Sequence, residues 1–171
     1  MNVVLIQFIG AIGYATLAMS YFKKEKKKIL YMQIIAYIFF TIHYYLLSGI
    51  TGAICNLIGL FALLIIYLYE KYNEKNKNLL ALIFIIALII INIATFQNIF
   101  SIFPMIASVI VIVSFLTDNE GTIRIIGVVA AICWLVYAIV YKSYVAIVFE
   151  VITFISTVIA LIKNNKKIGS K

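Results

Sequence analysis

Two residues able to do hydrogen-bond or proton chemistry stand inside otherwise apolar runs: Asn56 in "ITGAICNLIG" and Glu150 in "VAIVFEVITFISTVIALI". A carboxylate in hydrocarbon costs about 2.5–3.5 kcal/mol even on lenient insertion scales, so it marks a position that faces an interior and binds, pairs or relays a proton. Each follows an aromatic residue by the same interval, Phe40 before Asn56 and Trp134 before Glu150. A flat ring beside a hydrogen-bonding group suits a small polar solute with an apolar face. A neutral Glu150 would accept and donate hydrogen bonds to a hydroxylated solute, and an ionised one would favour a cation. For either aromatic taken alone, core packing is the plainer account.

The neighbours of these residues fall at helical spacing. Ser143, Ala146, Glu150, Thr153 and Thr157 form one small-and-polar stripe, and Gly52, Asn56 and Gly59 form another, with Cys55 beside it. Such stripes either let helices approach closely or line a solute cavity. Tyr137, Thr153 and His43 join Asn56, Glu150, Trp134 and Phe40 as candidate solute contacts. Gln7, Tyr14, Ser101 and Ser108 are candidates for further polar lining. His43, the only histidine, reads as a hydrogen-bonding residue at a cavity mouth or as a gating or proton-relay group. Pro104 removes one helix hydrogen bond, and Gly10 is a second weak point, so the pair reads as hinges or as packing relief. Cys55 and Cys133 show no metal-ligand spacing and read as small buried residues; no metal and no cofactor are expected. There is no HExxH, GxSxG or phosphate-binding glycine loop, and one intramembrane carboxylate is thin for catalysis, so an enzyme is not expected.

The elements that must position these groups are membrane helices. The chain is 65% hydrophobic and 12% charged, with one proline, against about 25% charged in a typical soluble domain. Apolar runs of crossing length lie at 3–22, 29–47, 50–69, 79–95, 98–117, 123–140 and 143–163. Residues 79–117 carry no charge, yet a single helix of that length would run about 60 Å at ~1.5 Å per residue, twice the hydrocarbon thickness. The segment must therefore fold back, at "ATFQN" (94–98). With the N-terminus outside, every basic residue except Lys142 falls on the inner side, as the positive-inside rule asks. Tyr44, Tyr45, Tyr141 and Tyr144 then sit as interfacial anchors at the outer face, and Tyr21, Tyr67, Tyr69 and Tyr72 at the inner. The net charge of +8 is spent on this orientation, which argues against a nucleic-acid partner. The N-terminal "MNVVLIQFIG" lacks a basic lead-in and reads as a first span that is kept.

Sliding the chain on itself by 94 residues lays 3–69 on 97–163 without a gap. Identities are few, but landmarks coincide. "FKKEKK" falls on "LTDNEG", "LLSGI" on "VYKSY", Gly10 on Pro104, Phe40 on Trp134 and Asn56 on Glu150. The expected fold is all-α, a single membrane domain over 1–171. It comprises seven transmembrane helices as two parallel three-helix repeats (3–69 and 98–163) joined by a linker helix (79–95), N-out and C-in. Parallel repeats form their site at the repeat interface near mid-bilayer.

The blocks "IHYYLLSGITGAICN" and "WLVYAIVYKSYVAIVFE" resemble the bacterial YgjV-type inner-membrane proteins, over nearly the whole chain. That group is placed with the PQ-loop superfamily, alongside SWEET, SemiSWEET and PnuC-type transporters. The proline–glutamine pair that names the superfamily is absent here, since Ala11 follows Gly10 and Met105 follows Pro104. The resemblance implies two triple-helix bundles joined by a linker, a plasma-membrane location, and solute contacts at Phe40, Asn56, Trp134 and Glu150. The expected function is facilitative or proton-coupled transport of a small polar solute. The alternative is a non-transporting receptor or recognition subunit, for which "AIGYA" (11–15) offers an AxxxA docking spacing. The partners expected are a small-molecule solute and the lipid bilayer; a second copy of the chain is a further candidate.

Overall fold

The computed structural model describes residues 2–20, 26–72, 77–114 and 120–168. Lys23, Lys24, Lys75 and Lys171 of the inner-side charge, and Tyr21 of the inner anchors, lie outside these residues. The described chain is helical without strands. Its seven α-helices are α1 (Val3–Ser20), α2 (Lys26–Leu46), α3 (Ile50–Tyr72), α4 (Lys77–Ala94), α5 (Ile102–Ser114), α6 (Glu120–Val140) and α7 (Tyr144–Ile168). A 3-10 turn, Ile99–Ser101, leads into α5.

Polar residues survive inside these apolar helices by bonding to their own backbone. Thr16 donates to the Ile12 carbonyl at 2.7 Å, Thr41 to Tyr37 at 2.8 Å and Asn92 to Leu88 at 2.9 Å. An i−4 carbonyl is the nearest acceptor where no water is at hand. The fold-back after α4 falls at the expected place. Asn98 caps the 3-10 turn, its Oδ1 accepting from the Phe100 amide at 2.9 Å. Pro104 is fully buried and stands in the first turn of α5. The amides of a first helical turn have no intrahelical partner, so proline there removes no helix hydrogen bond and does not interrupt the span.

The exterior is apolar. Along α4, Leu79, Leu82, Ile83, Ile86, Ile90 and Ile93 are exposed, whereas Ala81, Leu88 and Asn92 are buried. Asn92 reaches Cys55 of α3, Nδ2 to Sγ at 3.3 Å. The one helix that is long and apolar enough over a continuous 18 described residues to cross a bilayer is Val3–Ser20. The other apolar stretches, such as Leu30–Leu46, Ile50–Ile65 and Tyr144–Ile159, are 10–17 residues long.

Helix α2 packs on α1 and α3, and α6 packs on α5 and α7, which gives two trios. The trios meet along two seams, α3 against α5 and α1 against α7, while α4 rests against α3 and α5. Exchanging the trios exchanges the seams.

The turns that join the second and third helix of each trio share one backbone design. In the first, the Ser48 amide bonds the Tyr45 carbonyl at 3.0 Å and the Gly49 amide the Tyr44 carbonyl at 2.9 Å. In the second, Lys142 bonds Ile139 at 3.2 Å and Ser143 bonds Ala138 at 2.9 Å. Both are Schellman caps, and each corresponding residue pair is separated by the same shift of 94. The left-handed position is occupied in each case by a non-glycine residue, Ser48 at φ 61° and Lys142 at φ 54°. The left-handed backbone costs an L-residue about 1–2 kcal/mol, and glycine recovers part of this at the expense of a looser unfolded chain. We therefore expect Ser48→Gly and Lys142→Gly each to stabilise the protein by about 0.5–1 kcal/mol, with additive effects on the melting temperature in detergent.

Candidate functional site

The ends of the helices near these two turns are tied together across the trios. On one side, Gln7 of α1 donates from Nε2 to the Lys142 carbonyl at 2.9 Å and accepts the Val145 amide at 3.2 Å. On the other, Gln97, just ahead of α5, donates to the Ser48 carbonyl at 3.1 Å. Each glutamine therefore holds the left-handed residue of the opposite trio's turn. His43 and Tyr137, which the shift of 94 superposes, form a second reciprocal pair. His43 of α2 bridges the Ile6 carbonyl (Nδ1, 2.8 Å) and Ser143 Oγ at the start of α7 (Nε2, 2.6 Å). Tyr137 of α6 accepts the Gly52 amide at 2.9 Å, one of the orphan donors in the first turn of α3. We call this the clasped end.

Glycines make these approaches possible. A Cβ on Gly10 would lie 2.8 Å from the His43 ring, and one on Gly52 would overlap the Tyr137 ring. Gly59 likewise seats Tyr37. In the α3 stripe, then, both glycines serve packing, and Asn56 between them faces open space.

That space is a cavity of about 270 Å³, close to the lower end of the ~300–1,000 Å³ seen in small-molecule sites. Among the described residues six helices line it and α4 contributes none. Asn56, Glu150, Phe40, Trp134 and Thr153 converge on it, so five of the seven candidate solute contacts read from sequence share one chamber. His43 and Tyr137 do not line it; both are fully buried above it, in the clasps. Of the other polar candidates, Tyr14 lines the cavity, whereas Gln7 and Ser101 act at the clasped end. Gly10 and Pro104 are both buried there.

Two tyrosines carry more of the site than sequence suggested. Tyr14 donates its hydroxyl to Glu150 Oε1 at 3.2 Å and packs against Phe40, centroids 4.6 Å apart. Tyr44, expected at the outer surface with Tyr45 and Tyr144, is 1% exposed and lines the cavity, while those two are exposed. It packs 5.5 Å from Trp134 and 5.4 Å from Tyr137. Its buried hydroxyl meets no partner in hydrogen-bond geometry among the described residues. The signal was present: Gln33, Tyr37, Phe40 and Tyr44 run i, i+4, i+7, i+11 along one face of α2. Opposite this face, α6 supplies Gly127, Ala130 and Ala131. Large rings facing residues with little or no side chain leave the void. Asn56 donates to the Gly52 carbonyl at 2.9 Å, which leaves its Oδ1 unbonded within the described residues. Along α2 the lining runs from Tyr44 to Gln33, about 16 Å at ~1.5 Å per residue, so the cavity extends away from the clasped end.

An apolar helical exterior around a chamber that holds a few polar groups suits a membrane protein, and residues 4–168 match the Imp-YgjV family, described as bacterial inner membrane proteins. The chain belongs to this family and to the bacterial inner membrane. No curated protein and no solved structure matches it.

Proposed function

We propose that the chain is a carrier of a small polar solute, working by alternating access around the cavity between the two trios. The observation that carries this is the convergence of Asn56, Glu150, Phe40 and Trp134, drawn from both trios, on one chamber. The proposal includes seven spans, N-out and C-in, in a three-plus-one-plus-three arrangement like that of PQ-loop carriers. Two observations support it: the equal hydrogen-bond pattern of the two turns and the exchange-related seams. The lengths of α2, α3, α6 and α7, 21 to 25 residues, suit a bilayer crossing. On this topology the clasped end is the outer end. The clasps are then the closed outer gate, with Gly10, seated against the His43 ring, as a point about which it gives. The site is one of binding and release, without a catalytic group.

The test is uptake into proteoliposomes that contain this chain alone. A saturable, protein-dependent flux of a small solute is expected. Solute binding by folded protein without flux of any bound solute would overturn the carrier reading in favour of a receptor or recognition subunit. The gate has its own test. His43→Ala removes both ring bonds and is expected to speed amide hydrogen exchange in segments 47–53 and 141–147 at least tenfold, about 1.4 kcal/mol of opening free energy. Exchange within α4 should not change. Unaltered exchange at both turns would mean that His43 does not hold the gate.

A further inference from the structure

We propose that the solute is a small organic monocation, an amine or methylated ammonium, enclosed by the rings of Tyr14, Phe40, Tyr44 and Trp134 with Glu150 as its counter-charge. This deepens the carrier reading of the cavity and rests on it. Among the described residues the lining contains one acidic side chain and no basic one, so an ionised Glu150 has no counter-ion among them. Tyr14 holds one carboxylate oxygen and leaves the other without a partner among the described residues. The four rings line the same chamber and are tilted against one another, Tyr14 to Phe40 by 52° and Tyr44 to Trp134 by 33°. Drawn out along α2, a chamber of about 270 Å³ is narrow in cross-section, which keeps a bound cation within the ~6 Å over which the ring faces beside it attract it. Aromatic cages of this kind recognise quaternary ammonium groups. Tyr44, which lines the same chamber, offers its hydroxyl as a polar contact for an N–H or O–H on the ligand. A neutral polyol would instead meet ring faces that offer it few hydrogen bonds.

Trp134 is the only tryptophan in the chain and lines the chamber, so its emission reports on occupancy directly. The experiment titrates the purified full chain in nanodiscs with choline and with its neutral isostere 3,3-dimethylbutan-1-ol, with glucose as a polyol control. Choline is expected to change the emission saturably, with a half-saturation at least tenfold lower than that of the isostere. Glu150→Gln is expected to abolish that preference. Phe40→Leu is expected to weaken choline severalfold more than it weakens the isostere, and it decides the matter if the Gln variant does not fold. No saturable response to choline, binding of the isostere or glucose as tight as choline, or an unchanged preference in folded Glu150→Gln would overturn the proposal. Parallel uptake measurements separate the two claims. Choline bound but not moved overturns the carrier and leaves the cation, whereas flux of a neutral solute without choline binding overturns the cation and leaves the carrier.

Discussion

Proteoliposomes containing Glu150→Ala are expected to show uptake near the protein-free background. Glu150 is half-buried in the chamber and has a single protein partner, the Tyr14 hydroxyl, among the described residues. Hydrogen bonds to charged groups contribute about 1.5–3 kcal/mol, so removing the carboxylate should weaken solute binding roughly 10- to 150-fold. Uptake below saturation should fall by a similar factor. The alanine also leaves the Tyr14 hydroxyl unsatisfied in an apolar wall, which costs further. Glu150→Gln separates the contributions, because it can still accept from Tyr14 but carries no charge. A carrier that needs only a hydrogen-bonding side chain here retains most of its flux as the Gln variant; one that needs the charge loses it in both. Uptake by folded Glu150→Ala above half the wild-type rate would show that the chamber is not the transport site.

Gly52→Ala is expected to be the most damaging single-methyl change in the chain. The added Cβ would overlap Tyr137 at Cε1, a ring without room to retreat. Its hydroxyl is fixed by the Gly52 amide, and Tyr141, Tyr44 and Trp134 flank it with centroids 4.5, 5.4 and 6.1 Å away. Overpacking usually costs about 1–3 kcal/mol, and a blocked ring places this substitution at or above the upper figure. Two other glycines calibrate the result. Gly59→Ala would press on Tyr37 at 2.5 Å, a longer approach to a ring that is half-buried and borders the cavity, so a smaller loss is expected. Gly127→Ala meets nothing within 4 Å and should gain up to about 1 kcal/mol of helix propensity. Melting temperatures in one detergent should therefore rank Gly127→Ala first, then wild type, Gly59→Ala and Gly52→Ala. A Gly52→Ala protein as stable as wild type would mean that Tyr137 is not held as described.

Seven helices and the break at 94–98 were legible because hydrophobic run length and an uncharged 39-residue segment leave few foldings. Asn56 and Glu150 were legible as chamber residues because polar groups in apolar runs must face an interior. The clasps were not, since they join side chains to backbone groups 135 and 85 positions away and to the Ser143 hydroxyl 100 positions away. Composition alone could not tell Tyr44 from Tyr45, since both suit a membrane interface. Only the face of α2 shared with Phe40 separates them, one turning in at 1% exposure and the other out at 64%. Pro104 reads as removing a helix hydrogen bond if the run 98–117 is one uninterrupted helix. The Asn98 cap and the 3-10 turn move the start of α5 to within two residues of it.

The clasps also forbid either half from marrying its own twin. Shifted by 94, Ser143 corresponds to Gly49, so a pair of first trios would present His43 with a residue that has no hydroxyl. Gly52 corresponds to Ala146, so a pair of second trios would drive the Tyr137 ring into a methyl group. These two positions distinguish the halves, and a chain severed between α3 and α4 is expected to rejoin only with the fragment it lost.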